Sequence, residues 1–146
     1  TAGILHDIMK DASPEGQLKI MERSGIILTD VEKNAQKLWH AISGALYVEQ
    51  ELGIQDQEIL DAIRYHTTGR PEMGLLERVI FVADFTSAER DYDGVKKMRA
   101  AADISLERAM LEGVTFTIRD LSARQKPIHP DSLATYNWMI LNSKIG

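Results

Sequence analysis

Cysteine is absent from all 146 residues. Its absence excludes disulfides and thiolate metal sites, leaves imidazole, carboxylate and other oxygen groups to hold any metal, and permits a cytoplasmic location. No apolar run approaches the roughly 20 residues of a membrane span, and no basic-then-apolar leader opens the chain, so no membrane partner is expected. Positive charge is in deficit: 17 Lys and Arg stand against 22 Asp and Glu, a formal net charge of −5. Sequence-independent nucleic-acid binding rests on Lys and Arg meeting phosphates, so nucleic acid is not an expected partner either. Also missing are strand-period alternation, internal repeats, low-complexity tracts and a glycine-rich phosphate loop after a strand. What remains is helical periodicity. It predicts one all-α domain of about seven helices and no sheet, long enough to bury roughly two thirds of the surface its unfolded chain exposes. The opening Thr1-Ala2-Gly3-Ile4 has neither an initiator methionine nor a capping run. Further residues are expected before it.

Within this helical sequence, Ile4-Leu5-His6-Asp7 runs two apolar residues into a histidine and a carboxylate near the end of a helix expected over residues 2–10. Neighbouring side chains on a helix point about 100° apart. The pair therefore suits two metal ions side by side, or one metal and its water, and is equally ordinary as surface polar sequence. Lys10 lies on the same face as His6. After a break at Ser13-Pro14, a short helix is expected over 15–24, stopped by Gly25. Thr29 and Glu32 fit a capping box that opens helical sequence, with a break in it, as far as Leu52 and Gly53. In that stretch His40, Gly44 and Tyr47 share a face. A helical glycine costs about 1 kcal/mol relative to alanine, so something is expected to approach Gly44 closely. His40 reads as a ligand or as a partly buried histidine bonded to a backbone carbonyl.

Asp56 caps a helix whose apolar stripe, Ile59, Ala62 and Ile63, ends in His66, a core histidine or a ligand. The run Thr67-Thr68-Gly69-Arg70-Pro71 then supplies two hydroxyls, a glycine suited to a helix C′ position, a guanidinium and a stop. Such a run makes a phosphate cradle or an ordinary helix ending. In the next helix, expected over 74–89, the only polar residue from Val79 to Phe85 is Asp84. A run apolar on most faces is buried, and a buried ionised carboxylate is very costly unless paired or metal-bound. Asp84 is therefore a metal ligand or the partner of an arginine such as Arg90. Beyond a turn at Asp91-Tyr92-Asp93-Gly94, helices are expected over 95–102 and 106–123, the second as scaffold. The linker Lys126-Pro127-Ile128-His129-Pro130-Asp131 frames His129 rigidly, and Pro130 suits the first turn of a last helix.

Taken together, His6-Asp7, His40, His66 and Asp84 on successive helices resemble the HD-domain superfamily of metal-dependent phosphohydrolases. Closer detail resembles the YqeK-type symmetrical bis(5′-nucleosyl)-tetraphosphatases. The matching pieces are Ala2 to Asp7 with Lys10, Ala62 to Pro71, Val82-Ala83-Asp84 with Arg90, and Pro127 to Asp131 leading to Tyr136-Asn137. They span nearly the whole chain, and the Tyr65 to Pro71 run is far more specific than the His-Asp pair. Family members carry a first metal-binding histidine on a helix before the His-Asp helix, so this domain of residues 1–146 is expected to lack its N-terminal helix.

The resemblance implies hydrolysis of diadenosine tetraphosphate, or a similar dinucleoside polyphosphate, at the central phosphoanhydride into two nucleoside diphosphates. It implies two metal ions, iron foremost, although imidazole and carboxylate suit manganese, zinc or nickel equally. Their ligands would be His6, Asp7, His40, His66 and Asp84, with His6, Asp7 and Asp84 catalytic. Substrate contacts would come from Lys10, His66, Thr67, Asp84, Arg90, Pro127, Ile128 and His129. A homodimer is compatible with the same resemblance. Competing readings are another HD phosphohydrolase acting on nucleotides or alarmones, and a sensor that binds metal and nucleotide without turnover.

Overall fold

Local chemistry sets most helix boundaries in the computed structural model, which describes residues 1–87 and 90–142. Among the described residues there are nine α-helices and no strand: α1 (Ala2–Leu5), α2 (Pro14–Arg23), α3 (Asp30–Lys33), α4 (Trp39–Gln50), α5 (Gln57–Arg64), α6 (Leu75–Thr86), α7 (Val95–Ile104), α8 (Leu106–Ala123) and α9 (Pro130–Asn142), with one 3₁₀ turn at Gln36–Leu38. Ser13, Thr29, Asp56 and Ser105 cap α2, α3, α5 and α8 by accepting from backbone N–H groups. One helix beyond the expected spans arises because the stretch from Thr29 to Leu52 divides around the 3₁₀ turn into α3 and α4. None of these helices is long and apolar enough to cross a membrane.

Two expected helices end early, and both ends matter. The first stops at Leu5 and continues as turns through Lys10, in which Ile8 and Lys10 donate to the carbonyls three residues before them. Gln17 of α2 helps hold this irregular stretch, since its side-chain amide donates to the Met9 and Ala12 carbonyls at 3.1 and 3.0 Å. His6 and Asp7 therefore lie in a helix exit, not inside a helix. Likewise α5 ends at Arg64, placing His66 in the turn that follows. Gly69 closes that turn with a backbone φ of +72°, and a Cβ built there would sit 3.0 Å from the Thr135 hydroxyl of α9. Glycine is needed twice over at this position, for the left-handed backbone and for the space.

The α6 run is less enclosed than its composition implies. Phe81 and Val82 are buried in the main core with Met98, Ala109, Met110, Val114 and Met139, but Val79 is 43% exposed and Ala83 also faces outward. The end expected at Glu89 falls outside the described residues; the helix itself ends at Thr86. Smaller apolar clusters join α4 to α5 (Ala45, Val48, Leu60, Ile63) and α2 to α4 (Met21, Trp39, Ile42). At Gly44 the close neighbour is Ile63, yet an added Cβ would meet it at 3.5 Å. That is ordinary contact, so Gly44 marks the packing of α4 on α5.

Across 97 residues of sequence, His129 reaches Glu32. Its Nδ1 accepts from the Asp131 N–H at 3.0 Å, which leaves the ring proton on Nε2 to donate to Glu32 Oε2 at 3.1 Å. Glu32 also accepts from the Thr29 N–H in the expected capping box. Burial alone would raise this carboxyl, but the Thr29 N–H and the His129 ring outweigh it and hold it below its ordinary value.

Two stability predictions follow from these contacts. Gly69→Ala is expected to lower unfolding stability by about 2–3 kcal/mol, combining left-handed strain with overlap on Thr135; in a Thr135→Ala background the loss should shrink to the strain alone, about 1–2 kcal/mol. For Glu32, a depressed carboxyl contributes stability that is present above its unfolded-state value and lost as pH falls through the folded one. Glu32→Gln keeps a capping side chain, so urea denaturation at pH 7 should show a loss of about 1–2 kcal/mol. The gap to wild type should close in acid below the ordinary glutamate range.

Candidate metal centre

Each of the three histidines at the centre bonds the carbonyl three residues before it through Nδ1: His6 to Gly3 at 2.8 Å, His40 to Lys37 at 2.7 Å and His66 to Ile63 at 2.7 Å. A carbonyl can only accept, so Nδ1 carries the proton in all three. In the neutral rings Nε2 is then a bare acceptor. These Nε2 atoms converge. His40 and His66 bring theirs to 3.1 Å from each other, and both lie beside Asp7 Oδ1, at 3.3 and 3.5 Å. His6 Nε2 stands 3.3 Å from Asp7 Oδ2 and 3.4 Å from Asp84 Oδ1. Lone pairs facing lone pairs and carboxylate oxygens repel unless a cation lies among them or a ring takes up a second proton. This donor set fits metal ions.

The atoms sort into two groups, Asp7 with His40 and His66, and His6 with Asp7 and Asp84; within each, the candidate ligand atoms lie within 4.8 Å of one another. Asp7 belongs to both and turns one oxygen to each. Burial is graded around it: the His66 side chain is fully buried, whereas that of Asp7 is 35% exposed. The helix exits noted above create this convergence, because α1 and α5 release His6, Asp7 and His66 into turns beside the start of α4 and the last turn of α6.

The charged groups of the cluster shift one another. The His66 ring beside it holds Asp7 well below the ordinary carboxylate range against its partial burial, with His6 and Lys10 adding to the effect. Burial would raise Asp84, but His6 and Arg90 together bring it below its ordinary value. His6 is raised, first by its bond to Asp84. His40 is lowered, first by burial and then by the neighbouring His66.

Among the other expected site residues, Lys10 Nζ lies 4.0 Å from Asp7. Arg90 is tied to Asp84 twice, Nε to the backbone carbonyl at 2.8 Å and Nη2 to Oδ1 at 3.0 Å. Thr67 lines a cleft of about 930 Å³ together with Asp84 and Arg90. Arg70 turns away: it forms a two-point pair with Glu77 at 2.8 and 2.7 Å and stacks on Tyr65, so the Thr67 to Pro71 run supplies Thr67 but not its guanidinium. Pro127 is exposed, Ile128 half-buried, and both ring nitrogens of His129 are engaged as described.

Several contributors carried no sequence signal. Arg99 of α7 binds three carbonyls of the segment that leads to Arg90, those of Thr86, Ser87 and Arg90, at 3.3, 2.9 and 3.1 Å. The Tyr92 hydroxyl donates to the Phe85 carbonyl at 2.9 Å. Helix α8, expected only as scaffold, forms one wall of the cleft.

Known proteins are similar to this chain over most of its length. The HD domain family model matches residues 1–89. The chain is 41% identical over 142 residues to the symmetrical bis(5′-nucleosyl)-tetraphosphatase of Bacillus subtilis, covering 97% of this chain and 76% of that protein. It is also 41% identical to the same-named protein of Halalkalibacterium halodurans, covering 98% and 76%. A crystal structure from Clostridium acetobutylicum, described as a predicted HD superfamily hydrolase involved in NAD metabolism, superposes with a TM-score of 0.91 at 33% identity, over 97% of this chain and 75% of that one. The chain thus belongs to the HD-domain family, on the branch that holds the symmetrical bis(5′-nucleosyl)-tetraphosphatases.

Proposed function

We propose that residues 1–146 form a metal-dependent phosphohydrolase domain that splits diadenosine tetraphosphate, or a close dinucleoside polyphosphate, at its central anhydride into two nucleoside diphosphates. The observation that carries this reading is the divided Asp7 carboxylate, with Oδ1 toward His40 and His66 and Oδ2 toward His6. Such a carboxylate suits two adjacent cations. Relatives named symmetrical bis(5′-nucleosyl)-tetraphosphatase over almost the whole chain support the choice of substrate.

In this scheme His6, Asp7, His40, His66 and Asp84 hold the metals, with iron favoured by family resemblance. Two bound cations supply charge for the phosphoryl oxygens and lower the pKa of an attacking water. The remaining work belongs to the chain. Backbone bonds at Nδ1 hold each imidazole in one tautomer and orientation. Arg90, kept in place by Asp84 and by the Arg99 bonds to its segment, reaches phosphate charge that the metals do not meet. Lys10 and Thr67 bind further phosphate oxygens, and Pro127, Ile128 and His129 border one nucleotide.

The test is incubation of holoprotein with diadenosine tetraphosphate, with products resolved and bound metal counted by elemental analysis. Expected are two metals per chain and adenosine diphosphate as sole product, without free phosphate. NAD, nucleoside triphosphates and guanosine tetraphosphate, assayed alongside, should turn over far more slowly. Metal retention without cleavage would move the assignment to a sensor, and preferential turnover of a competitor to another phosphohydrolase. Asp7→Ala should empty both positions and abolish turnover. Arg90→Gln should retain metal while losing about 10²–10³ in kcat, the scale of one electrostatic group at a transition state. Because Asp84 raises His6, protons compete for a ligand nitrogen. Metal affinity should therefore weaken as pH falls, which titration with a chromophoric chelator would read directly.

A further inference from the structure

A symmetrical substrate carries a nucleoside diphosphate on each side of the bond that breaks. In the scheme proposed above, the linker residues Pro127, Ile128 and His129 would border only one. The cleft of about 930 Å³ beside the centre is large enough for the other, since small-molecule sites span about 300–1,000 Å³. It begins at Thr67, Asp84 and Arg90, which border the metal centre, and runs along α7 and α8 to Arg119.

The walls of this cleft have nucleotide-binding chemistry. Phe85, Tyr92 and Phe116 line it, all half-buried, and they form a ladder with ring centroids 6.4 Å apart from Phe85 to Tyr92 and 4.9 Å from Tyr92 to Phe116. The Tyr92 bond to the Phe85 carbonyl fixes the middle ring. Half-buried rings that are held in place present a face at little entropic cost, and every base has a π-face to set against them. Most charges in the cleft are already matched: Asp84 with Arg90, Glu112 with Lys97 at 3.3 Å, and Asp120 with Arg124 at 2.7 Å. Arg119 is not. Its exposed guanidinium has no side-chain partner among the described residues, and neither have the Lys37 ammonium and the Asp93 carboxylate that also line the cleft. The two cations suit an anion.

We propose that this cleft seats the second nucleoside diphosphate arm, its base against Tyr92 and Phe116 and its phosphate toward Arg119. The assignment rests on a dinucleoside polyphosphate being the substrate. It gives α8 a role in substrate length and symmetry selection.

The experiment is calorimetric titration of holoprotein with adenosine diphosphate and with the uncleavable β,β′-methylene analogue of diadenosine tetraphosphate. Wild type should bind two diphosphates per chain and one analogue. Phe116→Ala and the surface change Arg119→Gln should each reduce diphosphate stoichiometry to one and weaken the analogue about tenfold, as expected when a base loses its platform or a phosphate its cation. Thermal unfolding checks that both variants fold, and Arg119→Gln, lying on the exposed side of α8, carries the test if Phe116→Ala does not. One diphosphate per chain in wild type, or unchanged analogue affinity in a folded variant, overturns the proposal. These outcomes separate from the activity assay. A chain that binds two diphosphates yet leaves diadenosine tetraphosphate intact keeps the cleft and loses the reaction, and a chain that cleaves it with unaltered variants does the reverse.

Discussion

Three hydrogen bonds from imidazole Nδ1 to the carbonyl three residues earlier govern the chemistry of this molecule. Each is locally made, needing only a turn of backbone and a histidine. Each removes the choice of tautomer and leaves an unprotonated Nε2 aimed at the same small volume. The folded chain thereby tolerates two Nε2 atoms 3.1 Å apart, which would be costly without a cation or an extra proton. Folding has brought together groups whose mutual attraction is poor but whose joint attraction for a metal is strong. Apolar packing must hold them there: the cluster of Ala45, Val48, Leu60 and Ile63 joins α4 to α5, and so brings the helix carrying His40 against the one whose exit releases His66.

The second constraint is the end of α6. Thr86, Ser87 and Arg90 expose carbonyls there that no helix satisfies, and Arg99 collects all three. Arg90 is consequently presented to Asp84 in a fixed pose. Arg90 and the His6 ring both meet Asp84 at Oδ1, at 3.0 and 3.4 Å, so the arginine pair and a metal ion would share that side of the carboxylate. A half-exposed arginine held by two bonds, through Nε and Nη2, still has N–H groups to offer a phosphate. Arg70 is paired with Glu77 and Asp61 and does not line the cleft.

What could be read from residues alone was whatever depended on short spacing. Capping side chains at Thr29 and Asp56, the glycine at position 69 and the proline opening α9 act within four residues, and all lie where local chemistry puts them. The two readings left open for His40, a backbone-bonded histidine or a ligand, turn out to be compatible in geometry, because the backbone bond is what bares Nε2. Helix exits at Leu5 and Arg64 were not visible in the apolar pattern, which continues past both. They depend on tertiary contacts such as the Gln17 amide on Met9 and Ala12. The Glu32–His129 bond and the Arg99 clamp join residues far apart in sequence or bind carbonyls, which have no side-chain signature.

Helix α8 illustrates why an amphipathic reading can miss function. Its buried face, Ala109, Met110, Gly113 and Val114, explains its periodicity completely, and nothing more is needed to account for an 18-residue helix. The flank beside that face is packed more lightly, with Phe116 resting on Tyr92, and is open to other uses. Thr115, Phe116 and Arg119 lie on that flank, and the cleft they line opens onto the same Asp84 and Arg90 that face the centre. A helix whose stability is secured by one stripe can vary the other without endangering the fold. The rest of this chain has the same logic: turns that follow the short helices α1 and α5 bring His6, Asp7 and His66 together, and a flank of the long helix α8 is left to line the cleft beside them.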